Sequence, residues 1–329
     1  MSSAAADAQR VPGAAPAAAL PTRRAALAGL AAALVPVAGP GTARAAGPGP
    51  ARAADGPPVV VASKTDGEGA LLGQMILQTL RRLGIPAADR LQLGPTRIVR
   101  TALTAGEIDL YPEYTGNAAF FSGTETDPAW KNAASAYERA RAFDAPRGLV
   151  WLAPAPADNT WQIAVQGALA RRERLVTMAD FAGAVRRGLI ELAASAEFVE
   201  SPAALPSFER AYGFAMPLER IVVLPGGDTS VTLRAAAQGI SGVNAGMVYG
   251  TDGAIAALDV VVMADPAGAQ IVYEPAPVIR AAVLERHPGL APALADVFGR
   301  LTLPVLRRLN AEVAVEGRPP EAVARRFLG

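Results

Sequence analysis

The chain has 329 residues, no cysteine, and 31 basic against 30 acidic side chains, for a formal net charge of +1. The absence of cysteine excludes disulfides, thiol nucleophiles and cysteine metal sites. The near-zero charge favours neither a nucleic-acid-binding surface nor a polybasic membrane patch.

Residues 1–46 have the pattern of an export signal. Arg23 and Arg24 precede an apolar stretch that runs from Ala25 to Ala38, and the alanines of Ala43-Arg44-Ala45-Ala46 supply the small residues of a cleavage site. The paired arginines predict the twin-arginine route to the periplasm. The apolar stretch is shorter than the ~20 residues that a spanning helix needs, so a retained membrane anchor is the weaker alternative. We expect residues 47–58 to be a disordered lead-in.

From Val59 onward the first half of the chain predicts alternating strands and helices. Residues 59–63 predict a buried first strand, and an apolar stripe over residues 68–83 predicts a helix that ends at Gly84. With a second strand before Pro112, these elements form a βαβ unit. Further helices are expected at 96–103 and 130–143, and further strands at 108–111, 149–152 and 161–165.

The same pattern then starts again. Helices are predicted at 178–187, 207–212 and 229–238, strands at 190–193, 221–224, 246–249 and 260–263, and a helical tail at 277–328. Two α/β halves with a helical tail predict two lobes that enclose a cleft. Ligands of open α/β sheets bind beyond the carboxyl ends of strands, and Tyr111, Tyr114 and Tyr249 all follow predicted strands.

Aromatic residues make up only 5% of the chain, so the phrases that contain rings are informative. Three phrases set rings among Thr, Asn, Gly and Pro, which favour turns over a packed helix interior: residues 111–117, 159–162 and 249–253. Rings that face a cleft can enclose a cation that carries methyl groups instead of N–H donors. The alternative is that these are core or rim aromatics with polar neighbours, and composition alone leaves both interpretations open.

Catalytic motifs are absent from the sequence. The lone histidine, His287, lies in the predicted helical tail, and there is no Ser-His-Asp set, nucleophile elbow, HExxH or phosphate-binding loop. Glu113 and Asp252 are carboxylates near the ring phrases, but their spacing does not require acid–base chemistry. We therefore expect no enzyme activity, no cofactor and no metal site.

Four phrases resemble one family in the order in which they occur: residues 62–73, 108–116, 159–161 and 249–253. They are similar to the substrate-binding proteins of osmoprotectant ABC importers, which capture glycine betaine, choline, carnitine or related quaternary amines. Residues 192–198, 226–229 and 241–244 further resemble the OsmF-type subgroup. The resemblance implies a type II periplasmic-binding-protein fold, in which two α/β lobes are joined by two crossing strands. Residues 59–158 and 264–329 would form lobe 1, and residues 159–263 would form lobe 2.

The resemblance also implies ligand-binding residues. The first cage tyrosine of the family corresponds to Tyr114, a position that tunes ligand choice corresponds to Asn117, and the ring after the Asn-Thr pair is Trp161. The residues themselves add further candidates: Tyr111 and Tyr249 as rings, Thr229 and Thr232 as hydroxyl donors, and Lys64 and Glu68 as partners of the ligand's charged ends. Trp151, in an apolar strand, is expected to be core.

Two cage positions depart from the family pattern. Relatives place tyrosines near the positions of Leu205 and Leu233, and a glutamine at the position of Gly69. A cation–π face contributes ~0.5–2 kcal/mol, so the loss of two faces predicts binding that is about ten- to a thousandfold weaker, or a different solute.

The sequence as a whole predicts a monomeric periplasmic receptor that delivers a quaternary-amine solute to the permease subunits of an ABC importer. Two alternatives remain at this point. One is a binding protein of the same fold for a different small solute, and the other is a ligand sensor without a role in transport.

Overall fold

A computed structural model describes residues 56–224 and 229–329. The predicted export signal at 1–46 lies outside the described residues. So do most of the predicted lead-in and residues 226–228 of the OsmF-type phrases.

The first lobe is built on a five-stranded sheet of order β2-β1-β3-β10-β4. The first three strands of that order are parallel, and β10 is antiparallel to both β3 and β4. The strands are β1 (Val59–Lys64), β2 (Ala87–Gly94), β3 (Leu110–Tyr114), β4 (Leu149–Trp151) and β10 (Pro275–Arg280).

Helix α1 (Gly67–Arg82) forms much of the core of this lobe. It begins after Asp66, whose carboxylate accepts a hydrogen bond from the Gly69 amide at 2.7 Å and so caps the helix. Its apolar stripe is buried with the apolar faces of the C-terminal helices, which are α10 (Ala281–Arg286), α11 (Leu290–Gly299), α12 (Leu303–Ala314) and α13 (Pro320–Leu328). The other helices of the lobe are α2 (Thr96–Ala105), α3 (Asn117–Ser122) and α4 (Ala133–Asp144).

The second lobe has its own five-stranded sheet, of order β7-β6-β8-β5-β9. The strands are β5 (Trp161–Gln166), β6 (Leu192–Ser195), β7 (Ile221–Leu224), β8 (Ala245–Tyr249) and β9 (Val260–Val262). The helices are α5 (Gly167–Glu173), α6 (Met178–Arg186), α7 (Ala196–Glu200), α8 (Leu205–Tyr212) and α9 (Thr229–Gln238). Mixed sheets with helices are the architecture that the alternating pattern predicted, and the α/β fold is confirmed.

Two segments that cross between the sheets, residues 152–160 and 263–274, connect the lobes. They are not strands of either sheet, and hydrogen bonds join residues 158–160 of the first segment to residues 271–273 of the second. The Asn159 amide donates to the Tyr273 carbonyl at 3.0 Å, and the Tyr273 amide donates to the Asp158 carboxylate at 2.8 Å. The predicted lobe boundaries, between residues 158 and 159 and between residues 263 and 264, stay predictions.

Helix α12 adds a third connection between the lobes. A Cβ on Gly253, in the turn that follows β8, would lie 2.2 Å from the backbone nitrogen of Ala311. Only glycine permits so close an approach of the turn to the helix. The Arg307 side chain of the same helix donates to the Gly250 carbonyl at 2.6 Å, so the C-terminal tail touches the second lobe beside the crossing segments.

Two strand predictions were wrong around proline. Pro112 was expected to end a strand, but it lies inside β3, and the tail predicted as helical from residue 277 begins with strand β10. The register places Pro112 opposite Pro277, whose carbonyl accepts from the Leu152 amide on its other side. Neither proline needs an N–H at such a position, so the ladder tolerates both.

Strand β2 was missed because it lies at a sheet edge and has polar, exposed side chains such as Asp89 and Arg90. Helices α3, α5 and α7 are too short for a periodic apolar pattern to predict. Within residues 56–224 and 229–329, no helix is long and apolar enough to cross a membrane. In the same residues, no group of His, Cys, Asp or Glu could hold a metal ion.

Candidate functional site

Aromatic rings meet where two central strands of the second sheet end next to the crossing segments. Trp161 begins β5 and Tyr249 ends β8, and the antiparallel register places them opposite each other. Their rings stack with centroids 6.3 Å apart and an interplanar angle of 22°. Phe198 contacts Trp161 edge to face at 6.1 Å, and Tyr273 lies 6.4 Å from it. We call Trp161, Phe198, Tyr249 and Tyr273 the ring cluster.

Tyr273 is a member of the ring cluster that the sequence analysis missed. It lies on the returning crossing segment, next to the Thr-Gly of the first ring phrase. A Cβ on Gly116 would lie 2.7 Å from the Tyr273 ring, so the glycine of that phrase makes room for this tyrosine. The available signal was weak, because apolar Ile271 and Val272 precede Tyr273 and only Glu274 and Pro275, which follow it, suggest the end of an element.

Tyr114 lies on the first lobe at the end of β3, where its ring already has a cation over it. The Lys64 ammonium lies 4.4 Å from the centroid of the ring, and the phenol donates to the Glu68 carboxylate at 2.6 Å. The ring is buried, and burial raises the pKa of the phenol well above its usual value. The Lys64 ammonium therefore covers one face of Tyr114, the predicted cage tyrosine.

Glu113 is a fully buried carboxylate with a complete set of donors. The Lys64 ammonium and the Asn117 amide each approach its Oε1 at 2.6 Å, the Tyr114 backbone N–H donates to the same oxygen, and the Tyr111 hydroxyl donates to Oε2 at 2.7 Å. The polar ends of Tyr111 and Asn117 are therefore committed to Glu113. Tyr111 is fully buried, so its ring packs in the core of the first lobe and is not exposed to a ligand.

Glu68, in the first turn of α1, lies where the first lobe, the crossing segment and α12 meet. Its carboxylate accepts hydrogen bonds from the Tyr114 hydroxyl, from the Asn310 amide and, at 3.4 Å, from the Asn159 amide. Burial raises the pKa of Glu68 to about 7, although these donors favour the ionised form and act in the opposite direction.

Polar side chains connect Glu68 to the second lobe. The Asn310 amide also donates to the Thr251 carbonyl at 2.9 Å, and the Thr251 hydroxyl donates to Asn159 Oδ1 at 2.7 Å. Asn159, Thr251 and Asn310 were not among the predicted site residues. Asn310 stands 242 positions from Glu68 in a helical tail, and no local pattern marks it.

The remaining candidates lie in the second lobe. Thr232 is buried on α9 and donates to the Met247 carbonyl at 2.5 Å, and Thr229, at the start of the same helix, is also buried. Leu205 and Leu233, where relatives have tyrosines, are buried in apolar clusters. Trp151 is buried in the first lobe with its indole N–H bound to Asp144 at 2.7 Å, as expected of a core residue.

Two α/β lobes joined by crossing segments, with rings and polar side chains gathered where the lobes meet, define a solute-binding protein of the type II periplasmic class. The comparisons with known proteins agree. Residues 57–329 match the family model described as the substrate-binding domain of the ABC-type glycine betaine transport system. The chain belongs to this family, whose members are substrate-binding components of transporters and not enzymes.

The glycine betaine-binding protein YehZ of Escherichia coli K12 is 50% identical over 273 residues, which cover 82% of this chain and 90% of YehZ. The structure of apo YehZ matches with a TM-score of 0.72 over 82% of this chain and 97% of that chain. A structure described as a glycine betaine/carnitine/choline ABC transporter also matches with a TM-score of 0.72, at 20% identity and the same coverage, and it supports the fold alone. No comparison tests the assignment to the OsmF-type subgroup, which stays a prediction.

Proposed function

We propose that the protein is a periplasmic receptor that captures a quaternary-amine solute, such as glycine betaine, and delivers it to the permease subunits of an ABC importer. The observation that carries this proposal is the ring cluster, which lies between the ends of two central strands and the crossing segments. Family membership and the similarity to a glycine betaine-binding protein support the same function.

The chemistry of the rings suits a methylated cation. A quaternary ammonium donates no hydrogen bonds, so it gains more from aromatic faces than from carbonyl or hydroxyl groups. The centroids of the Tyr249 and Tyr273 rings each lie within 6.4 Å of that of Trp161. Burial raises the pKa of Tyr249 to about 12, so its phenol stays neutral at physiological pH. We propose these three rings as the principal contacts of the cation.

The first lobe would supply the opposite wall. Tyr114 faces Lys64 and Glu68, so a ligand that reaches this tyrosine meets one positive and one negative side chain. The polar ends of Asn117 and Thr232 are bound internally, and we propose that they shape the site rather than contact the ligand. Closure of the lobes around the ligand would create the surface that the permease recognises.

The proposal also covers the location of the protein, its oligomeric state and the extent of its lobes. We propose export by the twin-arginine route, action in the periplasm as a monomer, and lobes that consist of residues 59–158 with 264–329 and of residues 159–263.

Calorimetric titration of the purified protein with glycine betaine, choline, carnitine, proline betaine and ectoine tests the function. Saturable binding of a quaternary amine, with no binding of the unmethylated analogue glycine, supports the receptor and the ring-based site. The absence of binding to all five solutes would leave the fold intact and refute the osmoprotectant function.

A further inference from the structure

Glu68 is a carboxylate at the meeting point of the lobes that no cation neutralises. Other buried carboxylates have such partners: Lys64 pairs with Glu113 at 2.6 Å, and Arg100 pairs with Asp144. Among the described residues, no lysine or arginine forms an ion pair with Glu68, and the side chains that stabilise its charge are neutral: a phenol, two amides and the Thr251 hydroxyl. Neutral donors stabilise the ionised carboxylate of Glu68 by hydrogen bonding, but they leave its negative charge in place.

The charged groups on the elements around Glu68 are either acidic or engaged by other partners. On its own helix the cap residue Asp66 is a second negative charge that raises the pKa of Glu68 further. Lys64 on β1 is neutralised by Glu113 on β3. On α12, the Arg307 guanidinium is directed to the Gly250 carbonyl rather than to Glu68.

Asp158, on the crossing segment, is a further acidic group, and Glu197 and Asp252 also act electrostatically on the tyrosines of the ring cluster. Asp158 accepts a hydrogen bond from the Tyr273 backbone amide at 2.8 Å, and burial raises its pKa to about 6. Its titration is complete at a lower pH than that of Glu68, so a variant of Glu68 separates the two.

We propose that Glu68 is a specificity-determining residue that makes the site prefer a ligand with a net positive charge, such as choline, over a zwitterion, such as glycine betaine. The inference rests on the proposed function, since it concerns ligands that carry a quaternary ammonium. Ionised Glu68 offers a counter-charge to a cation beside the ring cluster. A zwitterion brings its own carboxylate, which either faces a like charge or requires Glu68 to be protonated.

Protonation links this preference to pH. With a pKa of about 7, Glu68 is ionised in about 9% of molecules at pH 6 and in about 91% at pH 8. If choline binds only the ionised form, its apparent Kd falls about tenfold over this range, because apparent affinity scales with the competent fraction. Neither choline nor glycine betaine changes its own charge between these pH values.

The experiment is calorimetric titration of choline and of glycine betaine at pH 6, 7 and 8, with the full chain and with Glu68→Gln. Glu107→Gln is the matched control, because Glu107 is an exposed glutamate of the first lobe and the substitution removes the same charge. We expect choline to bind the unsubstituted protein and the control about tenfold more tightly at pH 8 than at pH 6, and glycine betaine to bind more weakly at pH 8 than at pH 6. In Glu68→Gln the Kd for choline should no longer depend on pH. The difference in Kd between choline and glycine betaine should also become smaller.

Proton release gives a second readout. At pH 7, choline binding should release about half a proton per site, measured from the heats in two buffers of different ionisation enthalpy. The release should disappear in Glu68→Gln. Tyr114→Phe, which removes a donor to the ionised carboxylate but keeps the ring, should move the pH midpoint upward even if Glu68→Gln does not fold.

The outcomes distinguish the inference from the function on which it rests. An unchanged choline-to-betaine ratio across pH, or the same pH dependence in Glu68→Gln as in the unsubstituted protein, overturns the role of Glu68 while leaving the receptor function standing. An unmoved midpoint in Tyr114→Phe also counts against it. If neither choline nor glycine betaine binds at any pH, the inference fails, and the titration with all five solutes decides separately whether the proposed function stands.

Discussion

Two of the buried tryptophans, Trp161 and Trp151, allow a matched test of the ring cluster by substitution with phenylalanine. Both are in strands and both are almost fully buried, at 7% and 2% exposure. Each substitution removes the same atoms, so the loss of apolar burial is similar for the two. What differs is the indole N–H. That of Trp151 donates to Asp144 at 2.7 Å, whereas that of Trp161 is buried without a hydrogen-bond partner among the described residues.

The hydrogen bond sets the expected difference in stability. A hydrogen bond to a charged group contributes about 1.5–3 kcal/mol, and Trp151→Phe leaves the buried Asp144 with Arg100 but without this donor. Trp161→Phe removes an unsatisfied donor and so loses no hydrogen bond. We expect the free energy of unfolding of the ligand-free protein to fall by at least about 1.5 kcal/mol more in Trp151→Phe than in Trp161→Phe.

Ligand affinity should respond in the opposite way, with a larger effect of Trp161→Phe than of Trp151→Phe. Complete loss of a cation–π face of ~0.5–2 kcal/mol would weaken binding about two- to thirtyfold. Phenylalanine keeps a weaker face, so Trp161→Phe should weaken glycine betaine binding by a part of this factor, about two- to tenfold. Trp151→Phe should leave affinity unchanged. Alanine is a poorer substitution at Trp161, because truncation of a buried tryptophan costs about 3–5 kcal/mol whatever its role.

Urea denaturation without ligand and calorimetric titration with glycine betaine measure the two quantities. The reasoning is refuted if Trp161→Phe destabilises the protein as much as Trp151→Phe and leaves the affinity unchanged. Trp161 would then be a core residue of the second lobe, which is the alternative that composition left open.

Three further predictions concern stability. Lys64→Met should lower the free energy of unfolding by about 3–5 kcal/mol in urea denaturation, because Glu113 is left buried without its cation, and Lys64→Met with Glu113→Gln should recover part of the loss. Gly253→Ala should destabilise by about 1–3 kcal/mol, since its Cβ would overlap α12, whereas Gly183→Ala, inside a helix with room for a methyl group, should stabilise. The pKa of Glu68 is raised in the folded state, so the folded protein holds a proton that the unfolded chain has lost, and the stability of the ligand-free protein should fall as the pH rises from about 4.5 to 7. The denaturation midpoint should vary less over this range in Glu68→Gln, and an equal slope in the two proteins would contradict the assignment.

The elements that the sequence predicted well have local signals. The stripe of α1 and the left-handed Gly84 that follows it are visible within 20 residues, and α9 and β7 have the predicted bounds. Strand β10 was missed because its neighbours in the sheet come from elsewhere in the chain. A segment with two prolines becomes a strand only where β3 and β4 accept it in the right register.

The site residues also divide into those that a local sequence pattern marks and those that it does not. The ring phrases marked Tyr114, Trp161 and Tyr249, but the stacking of the last two depends on the register of β5 against β8. A slip of one residue would turn one ring to the opposite face of the sheet. The sequence predicted both strands and could not predict their pairing. Tyr273 and Asn310 are beyond local reasoning for the same reason, since crossing segments and a tail helix bring them to residues far away in the chain.

The position of Lys64 shows what a resemblance leaves out. A matched phrase places a tyrosine in a cage by analogy, but whether its face is open depends on side chains that the phrase does not pair with it. Here β1 and β3 are neighbouring strands, and their ends place the Lys64 ammonium over Tyr114 and against Glu113. A ligand cation must therefore use the ring cluster of the second lobe or displace Lys64 from the ring. Displacement would leave Glu113 buried without its cation, so the ring cluster is the less costly place for the ligand.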